Sequence, residues 1–203
     1  MKIFLLLSIV CLVACSPTPN TYTTPEDTYQ LVQEYDAWVH REDSLRHAEL
    51  QGYVNVLIKM ATEPPIYDEV SDSLAYEIAL AIYKDSRLTG LDGAFYLGLI
   101  RVENPQLDHL VENWYGAVGL TQVVPRYWLG IYPECGEDLY TDVYTQVCYG
   151  ARIFQYYFDV WGDTTLALYA YNGCTLNLRS QAARCSNFPR WVQEYTSEYA
   201  DEL

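Results

Sequence analysis

Glu103 is the residue in this sequence whose placement most needs a chemical reason. It lies four residues after Leu99 and eight after Phe95, so a helix through this segment carries its carboxylate on the apolar face. Pro105 disfavours helical geometry at Asn104, which puts Glu103 in the last turn. Burial disfavours the charged form, and the negative end of the helix dipole disfavours it further, so both effects are expected to raise the carboxyl pKa. A carboxylic acid that keeps its proton near neutral pH is a general acid, able to protonate a leaving oxygen and then to act as a base. Two other readings fit the same position: a buried Glu paired with Arg101, Arg126 or Arg152, or a last-turn Glu turned to solvent.

Two further clusters carry useful chemistry. The stretch Gly116-Ala117-Val118-Gly119-Leu120-Thr121-Gln122 combines glycines that permit positive φ and close backbone approach with an amide that both donates and accepts hydrogen bonds. Such an amide suits an N-acetyl sugar. In Ala170-Tyr171-Asn172, the phenol can bond a carboxyl or stack on a sugar ring, and Asn172 can hold either Tyr171 or an acetamido group. Taken singly, Gly116 and Gly119 read as an ordinary turn and Tyr171 as a core residue.

The order of these motifs over residues 103–172 resembles the soluble lytic transglycosylase family, whose domain is goose-type-lysozyme-like. The family's Glu-Ser pair on a helix end corresponds to Glu103-Asn104, its Gly-Ala-x-Gly-Leu-Met-Gln turn to Gly116–Gln122, and its Ala-Tyr-Asn to Ala170–Asn172. The resemblance implies a mainly α, lysozyme-like domain acting on peptidoglycan glycan strands. The bond cleaved would be the β-1,4 link between N-acetylmuramic acid and N-acetylglucosamine, and no cofactor is implied. Glu103 would be the single catalytic acid and base, with Asn104, Gly119, Gln122, Tyr171 and Asn172 at the substrate. One carboxylate suffices there, because the substrate's acetamido oxygen can assist and its own 6-hydroxyl closes a 1,6-anhydro ring, outside the usual two-carboxylate scheme. A goose-type hydrolase would instead want a second acid to position water. Asp108 and Glu112 are the nearest in sequence, and both also read as solvated loop charges.

The chain departs from the family pattern at Asn104 (usually Ser), at Thr121 (usually Met), and at Trp191, where a late family Tyr is replaced and Tyr195 stands one turn on. These departures motivate a third reading, a peptidoglycan-binding or interaction lipoprotein that keeps the fold without turnover.

The elements that must position these groups are helical. Ser71 or Ser73 caps a helix in which Leu74, Ile78, Ala81 and Ile82 recur every three or four residues until Gly90. Asp92 caps the helix that ends at Glu103. An aromatic-rich connection through Tyr127, Trp128 and Tyr132 leads to a longer helix from about Asp142 to Val160, ended by Gly162, with Phe154, Tyr157 and Phe158 read as core. Tyr115, Tyr127 and Trp128 fit cleft and core equally. Shorter helices are expected at Leu166–Tyr171 and Trp191–Tyr199. Upstream, Leu31, Val32, Tyr35, Trp38 and Val39 fall at helical spacing until Pro64-Pro65, which predicts a helical extension over 28–70 preceding a domain over 71–203.

The N-terminus reads as an export signal. One Lys precedes an apolar run that ends at Cys15, too short for the ~20 residues that span a bilayer. Leu12-Val13-Ala14-Cys15 resembles the bacterial lipobox, which implies removal of 1–14, lipidation of Cys15 and a polar tether over 15–27. The chain would then be held at the periplasmic face of a bacterial membrane, with Ser16 resembling an outer-membrane sorting signal. An ordinary cleaved signal is the other reading. The formal charge is −15, which excludes nucleic-acid backbones as partners and offers no long-range attraction to an anionic wall polymer. In a chain that folds outside the cytosol, Cys135, Cys148, Cys174 and Cys185 are expected to form two disulfides, three pairings being possible. Their spacings, and those of His40, His47 and His109, match no metal motif, and no metal is assigned.

Overall fold

The computed structural model describes residues 25–64, 66, 69–174 and 182–203. The signal segment 1–14 and Cys15 lie outside the described residues. The chain divides into two compact units, Met1–Ser44 and Leu45–Leu203. The first contains the opening turns of helix α1 (Pro25–Thr62), which begins inside the segment 15–27 expected to be a tether.

The second unit holds the rest of α1, then α2 (Asp72–Thr89), α3 (Gly93–Glu103), a short α4 (Pro125–Trp128), a 3-10 turn at Pro133–Cys135, α5 (Val143–Trp161), α6 (Thr164–Tyr171) and α7 (Ala182–Ala200). It is mainly α, as expected. No β-strand occurs among the described residues, only the isolated bridges Glu112–Val118 and Val118–Val123. Among the same residues no helix is long and apolar enough to cross a membrane.

Side-chain caps set the helix starts. Ser71 Oγ accepts from Leu74 N, Asp92 from Ala94 N, Asp142 from Thr145 N and Asp163 from Leu166 N, each satisfying a donor that the first helical turn leaves open. Gly90 and Gly162 close α2 and α5 in the left-handed conformation at φ 76° and 63°, which glycine adopts without a Cβ penalty. Helix α7 starts earlier than the expected Trp191, and Pro189 lies inside it. The missing donor there costs a hydrogen bond, offset by burial of Phe188 and Val192 on either side and by the disulfide at Cys185.

The main core packs Leu57, Met60 and Ala61 of α1 against Ile78 and Ile82 of α2 and Tyr96, Leu97 and Ile100 of α3. The residues of 28–70 that enter it thus follow the Trp38 stripe singled out from the sequence; Trp38 itself is exposed. A second cluster joins Phe95 and Leu99 of α3 to Phe154, Leu168, Phe188 and Val192, so α3 is sandwiched between both. The close approach of α3 to α7 needs Gly98, since a Cβ there would fall 2.8 Å from the Val192 carbonyl oxygen and 2.9 Å from Thr196 N. Phe158, expected in the core, is exposed; it sits in the last turn of α5, where Phe154 and Ile153 already complete the buried face.

The disulfides are Cys135–Cys148 and Cys174–Cys185, the sequential pairing. The first ties the 3-10 turn to α5, and the second bridges the end of α6 to α7.

Candidate active site

Helix α3 is buried from Gly93 to Ile100, and Glu103 closes it half-buried, directly after residues that bury Phe95 and Leu99 on the same stripe. The three arginines considered as its partners each make other contacts. Arg152 meets Glu134 at 3.3 Å and Asp85 at 3.7 Å, Arg101 donates to the Met60 carbonyl at 2.6 Å, and Arg126 lies over the Tyr127 ring.

The connection from Asn104 to Gln122 folds back as a braced loop. Asn104 is 3% exposed. Its Nδ2 donates to the carbonyls of Asp108 (2.7 Å) and Gly119 (3.1 Å), and its Oδ1 accepts from Asp108 N. Every polar atom of this side chain is therefore used inside the protein, behind the acid. The Gly119 carbonyl also accepts from Gln122 Nε2 at 2.8 Å, while Gln122 Oε1 accepts from Asn113 Nδ2 at 2.9 Å. Gln122 is half-buried and has φ 48°, a left-handed conformation unusual for a residue with a Cβ and most often retained where the surroundings enforce it at a functional site.

Gly119 has φ 70°, and a Cβ on it would collide with the Gln146 side-chain amide. Gln146 had no place in the sequence reading and proves to be a hub. Fully buried, it accepts from Leu120 N at 3.0 Å and donates to the carbonyls of His109 and Leu139. The signal for it was an amide on the apolar face of α5, one turn from Val143 and Gly150. Thr121 also packs inward: its Oγ1 donates to the Gln146 carbonyl at 2.6 Å, and Gly150 leaves the space its side chain fills.

Tyr171 reaches this loop from α6. Its hydroxyl donates to the Thr121 carbonyl at 2.7 Å and its ring stacks on Phe188. Desolvation, and after it the negative charge of Glu103, push this phenol well above its ordinary pKa, so Tyr171 stands within electrostatic reach of the acid. The structure thereby brings Glu103, the Gly116–Gln122 turn and Tyr171 together. Asn172 ends α6 with Nδ2 against Cys174 Sγ at 3.7 Å. Asp108 and Glu112 are exposed on the loop, and Asp108 Oδ1 caps Leu110 N. Trp191 and Tyr195 line a groove of about 260 Å³ with Arg101 and Val102, next in chain to Glu103. Among the described residues no group of three or more His, Cys, Asp or Glu could hold a metal ion.

A mainly helical domain that sets one glutamate at the end of a buried helix, beside a glycine-turned loop and a half-buried tyrosine, has a lysozyme-like fold. The transglycosylase SLT domain family model matches residues 85–193, more than half of the 203 residues, and the chain belongs to that family. Peptidoglycan is accordingly its substrate class and cleavage of a glycosidic bond its general chemistry. Neither curated proteins nor solved structures gave a match.

Proposed function

We propose that this chain is a lytic transglycosylase that cleaves the β-1,4 bond between N-acetylmuramic acid and N-acetylglucosamine and leaves a 1,6-anhydromuramic end, with Glu103 as the one acid and base. The carboxylic acid of Glu103 gives its proton to the glycosidic oxygen as the bond from C1 to that oxygen breaks. The substrate's acetamido oxygen supports C1 from the opposite face. The Glu103 carboxylate then takes the proton of the 6-hydroxyl, whose oxygen closes on C1, so the acid is regenerated and no water is consumed. Gln122 and Asn172 orient the acetamido groups, and the phenol of Tyr171, held on the Thr121 carbonyl, fixes the wall beside the acid. We further propose that lipid on Cys15 tethers the chain to the periplasmic face of a bacterial membrane, the outer membrane of a two-membrane cell.

The observation that carries this reading is a half-buried Glu103 at the end of α3, followed by Asn104 bonded to the Gly119 carbonyl of the same loop whose Thr121 carbonyl holds the half-buried Tyr171, while the acids a hydrolase would recruit, Asp108 and Glu112, are exposed on the loop. The test is digestion of purified peptidoglycan sacculi by the full chain, with the released muropeptides weighed beside a Glu103→Gln control. Anhydro ends, lighter by one water than hydrolysed ends, are expected, together with a loss of roughly a hundredfold or more in the Gln variant. Reducing ends would make the chain a goose-type muramidase, and retained binding without release would make it a binding module. Full activity in the Gln variant would remove Glu103 from the chemistry.

A further inference from the structure

The hairpin tip between Glu112 and Val118 carries two aromatic rings that the reaction does not use. Trp114 is 82% exposed, the most exposed large hydrophobic side chain among the described residues, and Tyr115 is 52% exposed. The two rings are neighbours tilted by 34° to one another, and both are open to solvent. The tip itself is firmly held. Asn113 N donates to the Ala117 carbonyl and Gly116 N to the Asn113 carbonyl, both at 2.9 Å. Asn113 Oδ1 accepts from Tyr115 N (2.8 Å) and Ala117 N (3.1 Å). Gly116, at φ 80°, makes the turn possible.

The same Asn113 side chain donates to Gln122, whose amide shares the Gly119 carbonyl with Asn104, the residue after Glu103. A continuous hydrogen-bonded path thus couples the exposed rings to the loop beside the acid. Rigid rings on a pre-ordered turn lose little freedom when a ligand covers them, which is what makes an aromatic platform effective in binding.

We propose that Trp114 and Tyr115 are a positioning platform for the glycan strand, on which the apolar C–H face of a sugar ring stacks beside the bond being cleaved. The assignment rests on the reading of the site as a peptidoglycan-cleaving one. An acidic chain has no long-range attraction to an anionic wall polymer, so its hold on the strand must come from short-range, charge-free contacts, and sugar C–H faces on aromatic rings supply them. A membrane is the other surface that takes exposed Trp and Tyr. Residues 102–125 contain no Lys or Arg, while Glu103, Asp108 and Glu112 are acidic, the opposite of the basic surroundings that favour anionic headgroups.

The experiment is cosedimentation of the full chain with purified sacculi in the Glu103→Gln background, where binding is read without turnover, for Trp114→Ala, Tyr115→Ala and Trp114→Phe. Trp114→Ala is expected to weaken sacculus affinity by about tenfold, equivalent to about 1.4 kcal/mol. Tyr115→Ala should weaken it less, and Trp114→Phe should recover part of the loss, with the melting temperature unchanged in all three. With Glu103 intact, Trp114→Ala should raise the half-saturating sacculus concentration more than it lowers the rate at saturation. Unchanged affinity in Trp114→Ala while digestion by the parent proceeds overturns the platform alone. Trp114-dependent binding without any muropeptide release by the parent overturns the enzymatic reading alone and leaves the platform standing. A loss confined to vesicles containing anionic phospholipid, with sacculus binding intact or absent, makes the pair a membrane contact and overturns the proposal.

Discussion

Asn104 separates two accounts of the site, because the family resemblance places it at the substrate while its geometry makes it an internal brace. Asn104→Ala removes three hydrogen bonds, those from Nδ2 to the Asp108 and Gly119 carbonyls and that from Asp108 N to Oδ1. Asp108 is exposed, so water can re-satisfy its backbone, and the Gly119 carbonyl keeps the Gln122 amide at 2.8 Å. At a net value of about 1 kcal/mol per bond, with part recovered, the expected loss is about 2 kcal/mol. In a chain of this length that lowers the melting temperature by roughly 4–8 °C. Asn104→Asp should cost more at neutral pH, because it turns a donor that faces two carbonyl oxygens into a charged acceptor, and acidification should recover part of the loss. The assay is thermal unfolding by circular dichroism over pH, with sacculus digestion measured well below the transition. A sharp drop in digestion by Asn104→Ala with the melting temperature unchanged would refute the bracing argument and return Asn104 to the substrate.

Gly119→Ala should be among the most damaging single changes. Its Cβ displaces the Gln146 amide, which loses bonds to Leu120 N and to the His109 and Leu139 carbonyls, and adds the strain of φ 70°, together about 3–5 kcal/mol. Denaturant unfolding would measure it, and a loss under about 1 kcal/mol would show that Gln146 is dispensable. Asp85 is 0% exposed, accepts from Tyr96 at 2.7 Å and leaves Oδ1 without a hydrogen bond among the described residues; burial raises its pKa above the ordinary 3.8, against the pull of Tyr96 and Arg152. The folded state then holds this proton more tightly than the unfolded state, so Asp85's contribution to stability falls as pH rises from the unfolded value through the folded one. In melting curves across acid to neutral pH, Asp85→Asn should gain on the parent as pH rises. A gap that moves the other way would mean that the ion pair with Arg152 outweighs desolvation.

What the sequence disclosed about the fold was its local punctuation. Asp92 and one of Ser71 or Ser73 were legible as caps, and Gly90 and Gly162 as terminators, where a side-chain oxygen or a missing Cβ requires it. The four-residue spacing from Phe95 through Leu99 to Glu103 placed the carboxylate on the apolar face of its helix. What stayed hidden depends on partners distant in the chain. Gln146 is a hub only because its amide meets residues 109, 120 and 139, and no spacing within α5 encodes that. Pro189 marks a break by local rules, yet packing of Phe188 and Val192 and the bridge to Cys174 hold it inside α7. Trp114 could be recognised as aromatic, while its exposure follows from a hairpin whose ladder is closed by Asn113 and Gly116.

The departures from the family pattern bear on turnover through where their side chains point. Asn104 and Thr121 both face the interior: one holds the carbonyls of residues 108 and 119, the other bonds the Gln146 carbonyl in the space Gly150 leaves. Replacing a family Ser or Met at such positions alters how the loop is fastened to α5, and a different fastening can hold the same loop. Trp191, in contrast, opens onto the groove shared with Arg101, Val102 and Tyr195, where a lost hydroxyl is felt by whatever lies in it. On the proposed reading, changes at Asn104 and Thr121 should therefore show in thermal unfolding, whereas Trp191→Ala, on the exposed groove, should lower sacculus digestion with the melting temperature unchanged.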